Sequence, residues 1–317
     1  MRMKAKCNAA LSNFSAACGI VCKCENTKAV EALKLSVKES ATGYLLILPL
    51  MVGYILFYIA PFLVILYHTV SRGSLGFVGL DNFLDIFRNR TFKLASGNTV
   101  KFLAVGLPLI LVLGFAIALL LKQQAKRFPF LKSVVMLPYV MPVVGTMILV
   151  DVIFTETGLL SRLVEFLGWH VPAWLESEHA FWIVILLYLW KNTGYCVVLL
   201  LSGLNAIPES HYDAASIDGA NGFGKLRYIT IPQMWYSIFF AGVFSLINAF
   251  KCFREIFLIG GTHPHDSIYI LQHFINNCFQ KLNMPNLSVA SVLILLPLAA
   301  MFIICYRWVM RKEAFRE

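Results

Sequence analysis

Charged side chains are costly inside long apolar runs, so those that occur there are the first candidates for chemistry. In this chain they are Lys191 in one run and Lys251, Arg254 and Glu255 in the next. Asn192 and Tyr195 accompany Lys191. Asn248, Lys251, Cys252 and Glu255 recur at steps of three and four residues, which places them on one helical stripe. Two readings of the stripe are open: a passage for a polar solute, or groups that pair with each other or with a partner subunit and hold helices together. A second candidate is Gly219-Ala-Asn-Gly-Phe-Gly224-Lys225, which matches G-x4-G-K. A phosphate-binding loop needs Ser or Thr next, to hold Mg2+, and a buried strand leading in. Leu226 follows instead and no such strand precedes, so no nucleotide site is expected on this chain. His263-Pro264-His265-Asp266 reads as a solvated loop. Cys7, Cys18, Cys22 and Cys24 lack a completing His or Cys pair at zinc spacing and read as reduced thiols. No metal site is expected, and no Ser/His/Asp or Cys/His set marks a hydrolase.

These residues must be positioned by membrane helices. Of 317 residues, 59% are hydrophobic and 14% charged, where a soluble domain carries about 25% charged. Apolar runs of spanning length recur, and six are expected: 44–70, 99–121, 134–154, 179–204, 235–259 and 287–309. Pro49 and Pro61 are expected to kink the first. Aromatic residues within 71–98 point to short helices at an interface. Residues 1–42 read as a cytoplasmic tail. The fold class is all-α, polytopic, with both termini cytoplasmic. Orientation follows from basic residues, which collect on the cytoplasmic side: the tail, 122–132, 205–234 and the C-terminus hold seventeen Lys/Arg, the opposite loops seven. The net charge of +10 is thus a consequence of topology rather than of nucleic-acid binding.

On this count the long polar loop around Pro208–Pro232 is cytoplasmic. Its two helix-forming arms flank the hinge Asp218-Gly219-Ala220-Asn221-Gly222. The sequence Asp213-Ala214-Ala215-x3-Gly219, followed by Ile229-x-Ile231-Pro232, resembles the E-A-A-x3-G-x9-I-x-L-P signature of membrane subunits of binding-protein-dependent ABC importers. Asp213 stands for the usual Glu and Ile231 for the usual Leu. Gly43-Tyr44, Gly79-Leu-Asp-Asn82-Phe83, Asn98-Thr99, Leu137-Pro138-Tyr139, Ala206-Ile-Pro208 and Phe250-Lys251 leading to Gly260-Gly261 resemble the carbohydrate-uptake branch (maltose, glycerol-phosphate and oligosaccharide type). The likeness covers about 43–312.

The resemblance implies a permease in the bacterial plasma (inner) membrane that imports a sugar by alternating access. It implies a second homologous permease subunit, an ABC ATPase dimer and an extracytoplasmic solute-binding protein as partners. No cofactor would be bound by this chain; ATP and Mg would act through the partner ATPase. Asp213, Ala214, Ala215, Asp218, Gly219, Ala220, Phe223 and Pro232 would couple to that ATPase. Matched by position to the maltose-type subunit, the sugar contacts fall on Tyr139, Val143, Asn192, Tyr195, Asn248, Lys251, Cys252 and Glu255. Several of these differ in type, so the sugar need not be the same. The large outer insertion of the enterobacterial maltose subunit is absent. The rival classes are an ion-gradient-driven secondary transporter, against which no internal repeat is seen, and a membrane-anchored assembly protein, which leaves the charged stripe unexplained.

Overall fold

Proline and apolar repetition set where the helices of this chain start, bend and stop. The computed structural model describes residues 44–73, 76–124, 130–155 and 157–313, with 305 and 308–313 by backbone alone. The tail 1–42, with its cysteines, lies outside the described residues. Among the described residues, regular structure is helical apart from one antiparallel bridge between Ser71 and Phe77. Six segments are long and apolar enough to cross a membrane: Tyr44–Val70, Arg90–Gln124, Val143–Phe166, His179–Asn205, Trp235–Gly260 and Met284–Ile304.

The chain divides into two compact units at Ile65/Leu66, inside the first of these helices. In the first unit, α1 (Tyr44–Val70) passes through a π-helical turn at Ile55–Ile59. Pro61 accounts for it. The ring crowds the carbonyl four residues back and brings no N–H of its own, and the Ala60 N–H reaches back five residues to Ile55 O.

The second unit begins with a polar staple. Asn82, fully buried in α2 (Asp81–Arg88), donates to Thr69 O at 3.0 Å and Ser71 O at 3.1 Å. Its Oδ1 accepts from the Arg72 guanidinium at 2.8 Å, and Arg72 also pairs with Asp85. One amide thus satisfies carbonyls where the chain leaves the preceding helix. Next comes α3 (Arg90–Gln124), which starts nine residues before the expected span.

Residues 134–154, expected as one span, form two helices, α4 (Leu131–Val140) and α5 (Val143–Phe154). Pro142 drives its predecessor out of the helical region, and Met141 is extended at φ −60°, ψ 132°. After the short α6 (Leu159–Phe166) comes α7 (His179–Asn205), the centre of the unit. Of its most apolar window 61% is buried, against at most 28% in the other spans of this unit. It packs on α3, on α4 and on α11 (Trp235–Lys251). Gly194 lets α7 meet the α4 backbone directly: a Cβ there would lie 2.0 Å from Val135 O. Close approach through small residues is how helices pack where burial from water does not drive them together. Tyr188 Oη donates to Ser245 O at 2.8 Å, tying α7 to α11 inside the core.

Beyond α12 (Phe253–Gly260) a 3-10 turn, Asp266–Ile268, leads into α13 (Leu271–Gln280), and α14 (Met284–Glu313) closes the chain. Ile86, Phe92, Tyr269, Phe274 and Val289 form a second apolar core at this end. Asn98 Nδ2 donates to Tyr269 O at 2.9 Å and Thr99 Oγ1 accepts from Leu271 N at 2.9 Å, so the 3-10 turn and α13 are pinned to α3.

His273 is fully buried, edge-on to Phe253 with ring centroids 4.9 Å apart. Burial, and secondarily His263, lowers its pKa to about 4. A base held neutral by folding binds fewer protons folded than unfolded. Its contribution is complete above about pH 6.5 and is lost as pH falls towards 4, by up to about 3 kcal/mol. The thermal midpoint of the purified protein is expected to fall between pH 6.5 and 4. His273→Phe is expected to flatten that dependence; an unchanged pH slope in the variant would refute the assignment.

Candidate functional site

The polar residues of the central spans converge where α4, α5, α7, α11 and α12 pass one another. Lys191 Nζ and Glu255 Oε1 lie 2.6 Å apart, with side chains 11% and 8% exposed. The pair joins α7 to α12. Glu255 Oε2 is buried and has no hydrogen-bond partner among the described residues. Two charges removed from water in this way are tolerable only together.

One helical turn along α7 from Lys191, Tyr195 stacks on the Tyr139 ring at the end of α4, with centroids 5.0 Å apart and planes 18° from parallel. Phe244 of α11 meets Tyr195 edge-on at 5.7 Å. Val143 is half-buried at the first position of α5, directly after the Met141–Pro142 break. Asn192 is buried and its Nδ2 donates to Tyr188 O at 3.0 Å, within its own helix. Asn248 and Cys252 are also buried.

The expected stripe is only partly realised. The α11–α12 run is interrupted at Cys252, whose backbone stays right-handed (φ −61°, ψ −14°). Asn248, Cys252 and Glu255 turn inward, whereas Lys251 and Arg254 are exposed. Phe244 was missed at the sequence level, although it stands one helical turn before Asn248 on the same face. Pairing among these charges was one of the two open readings, and the structure selects Glu255 with Lys191, a choice no local pattern makes for two residues 64 apart.

At the Gln124 end of α3 the loop 205–234 folds on itself. Here α8 (Glu209–Ile217) ends in paired C-terminal hydrogen bonds, Gly219 N to Ser216 O at 3.1 Å and Ala220 N to Ala215 O at 2.8 Å. This closure needs a left-handed residue, and Gly219 supplies it at φ +78°. The next helix, α9 (Gly222–Lys225), is capped by Asn221 Oδ1, which accepts from Gly224 N at 2.7 Å. It continues through the π-turn Leu226–Thr230 into α10 (Ile231–Gln233). Lys225 Nζ donates to Ser216 Oγ at 2.6 Å, closing one arm onto the other. In this segment the Gly224 amide and the Lys225 ammonium, which a phosphate cradle would use, are thus both engaged within the loop.

The loop is anchored through Tyr212. Its hydroxyl lies 3.0 Å from Thr230 Oγ1 and its ring 4.7 Å beneath Lys122 Nζ. Lys122 also donates to Leu204 O, near the end of α7, at 3.1 Å. Asp213, Ala214, Asp218, Gly219, Phe223 and Pro232 are exposed, and Ala215 and Ala220 half-buried. Phe223, Ile217 and Tyr228 stand 72%, 87% and 80% exposed. Three large apolar side chains thus stand exposed on this loop; Ile217 and Tyr228 were not singled out in the sequence.

A family described as the binding-protein-dependent transport system inner membrane component matches residues 86–314. The chain belongs to this family. It is a multi-pass permease subunit of the inner membrane, the translocating component of a binding-protein-dependent ABC importer. The permease is 31% identical over 238 residues to the trehalose/maltose transport system permease protein MalF of Thermococcus litoralis, covering 73% of this chain and 81% of that one. It is 27% identical to the arabinooligosaccharides transport system permease protein AraP of Bacillus subtilis (70% and 72% covered). It is 28% identical to the lactose transport system permease protein LacF of Rhizobium radiobacter (78% and 86% covered). Its fold is shared with a chain of a bacterial ABC transporter involved in alginate import, at a TM-score of 0.76 and 19% identity, over 88% of this permease and 98% of that chain.

Proposed function

We propose that this permease imports a sugar or oligosaccharide by alternating access. It forms half of a pore completed by a second homologous permease subunit. An ABC ATPase dimer, which holds the ATP and Mg, docks on the exposed face of Asp213–Pro232. An extracytoplasmic solute-binding protein delivers the sugar from the other side, and both termini of the permease are cytoplasmic. The excess of Lys and Arg on the loop side supports that orientation, and the relatives named for trehalose/maltose, arabinooligosaccharides and lactose support the solute class. The permease itself makes and breaks no covalent bond; it favours one of two conformations according to what is bound on either side.

The observation that carries the solute class is the Tyr139–Tyr195 stack beside buried amides. An aromatic face meets the C–H face of a sugar ring, while amides and charges meet its hydroxyls. In this reading Tyr139 and Tyr195 contact the sugar, and Val143, Asn192, Asn248 and Cys252 line its path, while the exposed Lys251 stands outside it. Glu255 holds the wall through Lys191. Tyr195→Ala is expected to lower sugar uptake into proteoliposomes about five- to tenfold, the worth of one aromatic contact. ATPase stimulation by the binding protein is expected to remain. Uptake equal to wild type would remove Tyr195 from the path.

A further inference from the structure

At the end of α7 away from the loop 205–234, the short helix α6 carries an uncovered apolar face. Leu159, Leu163 and Phe166 are exposed and recur at steps of four and three, so they share one side of the helix. Ser161 holds the opposite side: it is buried, and its Oγ donates to Thr155 O at 2.7 Å and accepts from Trp174 Nε1 at 2.9 Å. The roll of α6 is thereby set, with the stripe turned outward. Its depth follows from the spans. The Phe154 and His179 rings both meet Trp174, so the end of α5 is level with the start of α7. From the exposed Lys132 to Asp151, α4 and α5 rise about 28 Å at 1.5 Å per residue, close to the roughly 30 Å of a hydrocarbon core. Lys101 and Lys122 on α3, about 32 Å apart by the same rise, frame the same layer, and Lys101 Nζ sits 4.4 Å over the Phe181 ring near the start of α7. The exposed Trp169 and Trp182 follow α6 and open α7, in keeping with the aromatic belt at a membrane–water interface. A helix with an apolar stripe and the exposed charges Arg162 and Glu165 beside it lies in that interface.

Where α5 gives way to α6, an open pocket of about 420 Å3 is lined by Asp151, Thr155, Thr157, Leu159 and Arg162. It holds one carboxylate and one guanidinium, which form no ion pair among the described residues. Leu159 belongs both to the pocket and to the stripe, so the two are continuous. We propose that the pocket takes the headgroup of a zwitterionic phospholipid bearing a primary ammonium, a phosphatidylethanolamine. The Asp151 carboxylate accepts from the ammonium, the Arg162 guanidinium donates to the phosphate, and the glycerol and upper acyl chains lie against Leu159, Leu163 and Phe166. The paired charges select among lipids. A headgroup with only negative charge is repelled by Asp151, and a trimethylammonium has no N–H to donate to it, so it forgoes the charge-assisted hydrogen bond. The bound lipid fixes the α5–α6 corner at the headgroup level.

The test uses the full-length permease in its purified complex, stripped of lipid in mild detergent and titrated with phosphatidylethanolamine and phosphatidylcholine of the same acyl chains. Retained lipid is counted by native mass spectrometry. Wild type is expected to hold the ethanolamine lipid about tenfold more tightly, the worth of a hydrogen bond between charged groups, and retention is expected to fall stepwise through the mono- and dimethylated headgroups. D151N is expected to bring the two lipids within about twofold of each other. R162Q is expected to weaken both about tenfold and leave their ratio as it was. Should either variant fail to fold, the methylation series on wild type decides alone. Wild-type affinities within about twofold of each other overturn the proposal. So does a D151N variant that keeps the wild-type ratio, and so does a preference for phosphatidylglycerol over phosphatidylethanolamine. Efficient cross-linking of L163C to another protein subunit in intact membranes would show that protein covers the stripe, and overturns it as well.

Discussion

Glu255→Gln and Lys191→Met are each expected to destabilise the permease by about 3–5 kcal/mol, because each leaves one charge buried without its partner. The loss should appear as a lower thermal midpoint and reduced yield of folded protein. The exchange K191E/E255K restores the pair and is expected to recover most of both. The double change K191M/E255L removes both charges and is expected to fall much closer to wild type than either single variant, since well-packed apolar groups often replace a buried pair at little cost. The same set separates the two roles open to the stripe. If Glu255 held the sugar, exchanging the charges would not restore uptake even where it restored folding. If the pair ties α12 to α7, uptake returns with stability. Glu255→Gln with an unchanged melting temperature would show that the 2.6 Å contact carries no weight.

Gly219→Pro is expected to abolish sugar uptake and ATPase stimulation in a permease that still inserts and assembles its spans. Proline is confined to φ near −65°, whereas Gly219 sits at φ +78°, the conformation that closes the end of α8 and aims α9. Losing that turn breaks the hold of Lys225 on Ser216 and re-aims the arm that carries the exposed Phe223 and Tyr228. Gly219→Ala keeps the chain geometry but meets a left-handed penalty of about 1–2 kcal/mol, so a partial loss of coupling is expected. Full uptake by Gly219→Pro at normal expression would mean that Asp213–Pro232 does not carry the ATPase signal.

The two experiments probe opposite ends of one argument. The permease makes no covalent bond; under the proposed reading its function lies in linking the exposed loop 205–234 to the polar residues between spans. Within the loop, carbonyls, amides and one lysine satisfy each other. The polar residues of the second unit stand on helices that one proline and one interruption divide: Pro142 separates α4 from α5, and the ladder loosens at Cys252.

Much of this was legible in the order of residues alone. Six apolar runs of spanning length dictate six spans, because a helix satisfies its own backbone polar groups in hydrocarbon. Glycine at 219 was legible as part of a hinge, but its left-handed turn and the break at Pro142, within a run expected as one span, came with the structure. The importer family was legible too, from the spacing between Asp213 and Pro232. What the tertiary structure alone decided is which side chains meet. Lys191 and Glu255 were both visible as charges in apolar runs, with pairing among the charges an open reading, but which of them pair was not. Tyr139 and Tyr195 were matched separately, not as a stack, and Lys251 was grouped with neighbours from which it turns away. The burial of Asn82 beneath the end of α1 was equally hidden. The reason is physical. Hydropathy and backbone preference belong to neighbouring residues, whereas a contact between helices depends on the rotational phase of each, and an interruption such as that at Cys252 shifts the phase without any mark in the local sequence.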